Sequence, residues 1–171
     1  MRVYGSLNNR FDENHYFNGS YGNLQVGTLA TRYYWSDRHA YEVTKVIDQE
    51  HVFVRQLRAI RTDDNGMSEI QDYRYESEPR HAEEEIKRKN GKWREVIHYE
   101  PAYYAKKIAE LAEHDRITLQ QARDMWAEWL SYKLTPNQTR KLLDEGKEVI
   151  KLGGQVNISF GVADEYYDYS F

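Results

Sequence analysis

Two changes of texture constrain this chain more than any single motif. From Val26 to Tyr99 the apolar residues are mostly β-branched or aromatic, and turn signals cut them into short runs. From Pro101 they fall at helical spacing, and after Gly153-Gly154 alternation returns. β-Branched and aromatic side chains suit a pleated surface, whereas i, i+3, i+4 spacing makes one buried stripe on a helix. The order β, helix, β therefore predicts an α+β chain. We expect a small, mainly antiparallel β-domain (a barrel or bent sheet) from residues 1–100 and 154–171. A three-helix insertion occupies 101–153, and a C-terminal strand returns to the sheet.

Local signals refine this outline. Val26–Trp35, the run through Tyr41, Val43, Val46 and Ile47, and the run from Val52 towards Leu57 read as strands, with a turn at Asp48 to Glu50. Asp63-Asp64-Asn65-Gly66 is a turn signal. Asn90-Gly91, between Glu84–Lys89 and Lys92–Tyr99, has the pair that favours a type I′ hairpin. The Asn- and Gly-rich stretch before Val26 reads as a long loop, with one short strand at Arg2–Tyr4.

The helical portion begins with Ala102–His114, turning Tyr104, Ile108, Leu111 and Ala112 inward. Thr118 with Gln121 fits a capping box, and Ala122, Met125, Trp126, Trp129 and Leu130 make one buried face. Thr135-Pro136 with Gln138 starts a third helix that carries Leu142, Leu143, Val149 and Ile150 and stops at Gly153-Gly154. Val156, Ile158 and Phe160 alternate as a strand, and Tyr167, Tyr169 and Phe171 read as inward positions of the last one.

Several functional classes find no support. No apolar run approaches the roughly 18 residues of a membrane span, and the first residues lack the apolar core of a signal peptide. A cytoplasmic protein with no membrane partner is the expectation. The chain has no cysteine, hence no thiolate nucleophile or disulfide. Its six histidines show no i, i+3 or i, i+4 pair, so no metal is expected. There is no GxSxG, and no glycine loop leads into a helix. We expect no cofactor and no catalytic residue. A hydrolase assembled in space, with His39 as its test, is the remote alternative.

Binding is better supported. Fifteen tyrosines occur in 171 residues, many beside acids. Tyrosine joins a large apolar face to a hydroxyl, which suits contact surfaces. The densest candidate is Tyr33, Tyr34, Asp37 and Arg38, with Trp35 expected in the core. The second is Asp164, Glu165, Tyr166 and Asp168, whose carboxylates and phenols imitate the charged backbone and flat bases of nucleic acid. A partner that handles nucleic acid is the natural target of such a surface. Against the net charge of −4 stands one basic cluster, Lys87, Arg88, Lys89, Lys92 and Arg94. It supports the alternative of a nucleic-acid- or nucleotide-binding protein with an aromatic platform. Glu83, Glu84 and Glu85 read as a solvated edge.

Three segments carry a resemblance. They are Val3-Tyr4-Gly5-Ser6-Leu7-Asn8-Asn9-Arg10, then Tyr34-Trp35-Ser36-Asp37-Arg38 with Tyr41-Glu42-Val43, and Ser159-Phe160-Gly161-Val162 through Tyr167-Asp168-Tyr169. Together they resemble a group of small proteins encoded by phages and prophages of Firmicutes. The resemblance covers the β-portions and implies a phage or mobile-element setting. By analogy it implies an inhibitor that binds a host protein complex, such as an anti-CRISPR acting on a Cas effector.

Overall fold

A computed structural model describes residues 23–169. The expected strand at Arg2–Tyr4, the Asn-rich loop up to residue 22 and Phe171 lie outside the described residues. The chain divides into two compact units, one of Met1–Val96 with Leu152–Phe171 and one of Ile97–Lys151. No described helix is long and apolar enough to cross a membrane.

The described strands are β1 (Leu29–Tyr33), β2 (Arg38–Asp48), β3 (His51–Gln56), β4 (Arg58–Arg61), β5 (Tyr73–Glu76), β6 (Glu83–Lys89), β7 (Lys92–Tyr99), β8 (Val149–Gln155) and β9 (Ile158–Phe160). Seven of them form one curled antiparallel sheet in the order β8-β7-β6-β3-β2-β1-β9, and β4 pairs with β5 as a separate ribbon. The C-terminal return is β9, which pairs with β1 through Ala30 opposite Phe160 and Arg32 opposite Ile158. Asn90 and Gly91, at φ 52° and 74°, give the β6–β7 hairpin the two left-handed residues a type I′ turn needs. Alternation sends Ala30, Tyr41, Val43, Val52, Val54, Ile86 and Trp93 to one face, where Ile158 and Phe160 join them in the core.

The second unit holds α1 (Pro101–Asp115), α2 (Leu119–Leu130) and α3 (Pro136–Leu143). Both expected capping boxes form: the Thr118 and Thr135 hydroxyls accept from the Gln121 and Gln138 amides at 3.2 and 3.3 Å. Tyr99, Leu130, Leu134, Leu142 and Val149 make its core.

Three expectations need correction. The third helix ends at Leu143, because Gly146 takes a left-handed φ of 60° and the β-branched Val149 and Ile150 open β8 instead. The α2 stripe is only partly internal: Ala122 and Leu130 are buried, while Met125 and Trp129 reach solvent. Among its described residues the C-terminal run is no regular strand. They make a single bridge, Arg38 with Tyr166, with Tyr166 buried and Tyr167 exposed, the reverse of the expected parity.

Candidate functional site: a clasped hairpin tip

The β1–β2 strands close through Tyr34-Trp35-Ser36-Asp37, where the Tyr34 amide donates to the Asp37 carbonyl at 2.9 Å. The tail then fastens to this tip and its surroundings almost residue by residue. The Thr31 hydroxyl donates to the Val162 carbonyl at 2.7 Å. Arg38 meets Asp164 at 3.2 Å. His39 Nδ1 lies 2.6 Å from Glu165 Oε1, and the Ala40 amide donates to Glu165 Oε2 at 2.9 Å. Asp37 Oδ1 accepts the Asp168 amide at 2.8 Å, and Gln71 holds both the carbonyl and the amide of Tyr167. Finally, Arg61 donates to the Tyr169 hydroxyl at 3.1 Å.

Titration behaviour follows from these contacts. The hydrogen bond to Glu165 raises the His39 pKa; burial and Arg32 oppose this, while the Glu165 and Asp37 charges reinforce it. Burial pushes the Tyr75 hydroxyl up, and Asp164 adds to that shift. The tail therefore brings its carboxylates to cations and backbone donors of its own chain.

A second network lies on the core-facing side, where Arg32 sits directly opposite His39. Arg32 pairs with Glu84, reaches Glu95 at 3.2 Å, and lies 5.2 and 5.9 Å from the Tyr34 and Tyr41 ring centroids. The Tyr41 hydroxyl donates to Glu84 at 3.1 Å and contacts the Tyr34 hydroxyl at 3.3 Å. Burial, the largest single influence, works against the Arg32 charge, but Glu84, Tyr34 and Tyr41 together outweigh it and raise the Arg32 pKa. Burial lifts the Tyr41 phenol far above its ordinary range, with Tyr34 and Glu84 adding to the effect.

The two binding candidates read separately from the sequence thus converge on one place, but with altered roles. Tyr33, Arg38 and Tyr166 are buried and support the tip from within. Asp37, Asp164, Glu165 and Asp168 are half-buried. Tyr34 remains exposed, and Trp35, expected in the core, is 86% exposed. The glutamates expected as a solvated edge are paired, Glu83 with Arg55, Glu84 with Arg32 and Glu85 with His51. Sequence reasoning missed Arg32, Glu95 and Gln71, whose partners Glu84, Arg32 and Tyr167 lie 52, 63 and 96 positions away along the chain. Trp35 carried a readable signal: a large residue between Tyr34 and the turn formers Ser36-Asp37 sits at a tip.

Lys87, Arg88, Lys89, Lys92 and Arg94 lie on the β6–β7 hairpin, where the ladder sets Lys87 opposite Arg94, Lys89 opposite Lys92, and Arg88 opposite the buried Trp93. Among the described residues no three His, Asp or Glu side chains are grouped to hold a metal ion. Comparisons with protein-family models, curated proteins and solved structures gave no match.

Proposed function

We propose that this protein acts by binding, as an antagonist of a host nucleic-acid-processing or defence complex, with a Cas nuclease as the leading target class. The observation that carries the reading is Trp35, almost fully exposed on a turn whose flanks are locked. An exposed indole costs apolar hydration unless a partner covers it, and tryptophan is enriched among residues that dominate binding energy. Tyr34 beside it and Tyr167, one residue beyond the Arg38–Tyr166 bridge, add exposed aromatic surface on the same clasped segments. Locked flanks lower the ordering cost of association. The resemblance to phage-encoded proteins supplies the host setting.

The test is nuclease inhibition. The purified chain is titrated into a panel of Cas effector complexes, and target cleavage is followed. Stoichiometric loss of cleavage by one or more effectors is the expected result. Unaltered cleavage across the panel removes the Cas form of the reading.

A further inference from the structure

Arg32, Arg38, Arg55, Arg61, Arg80 and Arg123 each hold a carboxylate. The β6–β7 hairpin gathers cations that do not. Lys87, Lys89, Lys92 and Arg94 share one face, since each cross-strand pair projects to the same side of a ladder and Ile86 and Trp93 point the other way into the core. Among the described residues none of these four has a carboxylate within ion-pair distance; Arg94 instead donates to the Gly153 carbonyl at 3.3 Å. The nearest acids on this face of β6 are already engaged, Glu85 by His51 and Glu83 by Arg55. Like charges placed directly opposite destabilise a sheet. Two such pairs in a chain of net charge −4 concentrate the positive potential on one small surface.

Aromatic surface adjoins it. The ladder places His51 beside Lys87 and Phe53 beside Glu85 on the outer face of β3. The two rings are nearly parallel, 18° apart in plane with centroids 6.4 Å apart, and both are half-buried. Lys45, on β2, extends its ammonium to 5.2 Å from the Phe53 centroid. Its long exposed side chain is a cover that a flat ligand can displace.

We propose that the outer face of β3, β6 and β7 binds single-stranded nucleic acid. Lys87, Lys89, Lys92 and Arg94 take the phosphates, and Phe53 with His51 receives a base. A row of cations beside aromatic rings on an open sheet suits a single strand, whose unstacked bases expose their faces; a duplex offers the cations its phosphates but the rings nothing. This surface lies on other strands than the clasped tip, and the inference does not rest on the proposed protein partner.

The experiment is fluorescence anisotropy with labelled mixed-sequence DNA and RNA single strands, a duplex of the same sequence, and inorganic polyphosphate as competitor, from 50 to 300 mM salt. Single strands bind more tightly than the duplex. The slope of log affinity against log salt is on the order of −3, from about 0.7 per phosphate contact for four contacts. Lys89→Glu with Lys92→Glu, both exposed and so compatible with folding, weakens binding at least about tenfold and flattens the slope by roughly 1.4. Phe53→Leu keeps the apolar bulk, weakens single-strand binding by about tenfold and leaves the slope unchanged. Absence of binding at 50 mM salt overturns the proposal, as does full binding by the charge-reversed variant. Equal affinity for the duplex, or polyphosphate competition with an indifferent Phe53→Leu, reduces the face to a general polyanion site and overturns the single-strand assignment.

Discussion

Arg38 and Tyr166 face each other as a two-residue antiparallel bridge. Each amide donates to the other's carbonyl, at 3.0 and 2.9 Å, and the guanidinium carbon lies 5.2 Å from the phenol centroid. Both residues are buried, so the bridge is the inner lock of the tail on the hairpin tip.

Removing the lock is expected to loosen the tail and lower stability. Tyr166→Ala deletes a buried ring and uncovers the Arg38 guanidinium, a loss on the order of 3 kcal/mol for a large aromatic side chain. Urea unfolding measures the loss, and limited proteolysis reports earlier cleavage after residue 161. A variant as stable and as protease-resistant as the parent contradicts this account.

The outer lock titrates. The His39 pKa is raised above 6.5 chiefly by its hydrogen bond to Glu165, so the folded state binds this proton more tightly than the unfolded chain. The stabilisation is complete below about pH 6.5 and is lost as pH rises through the folded value. The urea midpoint of the parent therefore falls across that window relative to His39→Gln, which lacks the transition. Parallel profiles for the two proteins would count against the contact.

Arg32 and Glu84 are expected to couple energetically. Glu84 is about a third exposed (34%) and water screens part of the attraction, so a double-mutant cycle with Arg32→Ala and Glu84→Ala should give about 1–2 kcal/mol. A coupling near zero makes the network incidental.

Helix starts and turns offer a more local test. Thr118→Ala and Thr135→Ala each remove a hydroxyl that accepts a helix amide, at a cost of about 1 kcal/mol. Gly91→Ala places a side chain at φ 74° and costs about 1 kcal/mol, read as a lower unfolding midpoint.

Those last features were legible in the sequence because they are local: Asn90-Gly91, the two capping boxes and the α1 stripe are each decided within about one turn or hairpin. The order of β, helical and β portions was legible for the same reason. The tail was not. Its period-2 tyrosines suggested Tyr167 and Tyr169 as internal, whereas the partner bonds from Arg38, Gln71 and Asp37 fix the backbone and bury Tyr166. Two of those three residues lie about 130 positions from the tail residues they hold (131 for Asp37 and Asp168), a separation no local pattern encodes. Trp35 misled because hydrophobicity favours burial, yet its position in a four-residue turn leaves it 86% exposed.

The most direct measurement is a dose–response comparison of the parent and Trp35→Ala against any effector that the parent inhibits, with urea midpoints recorded alongside. The exposed indole contributes little to folding, so the midpoints coincide, while inhibition by the variant shifts at least about thirtyfold, the effect of a hot spot of about 2 kcal/mol. Equal inhibition by both proteins contradicts the hairpin tip as the binding surface.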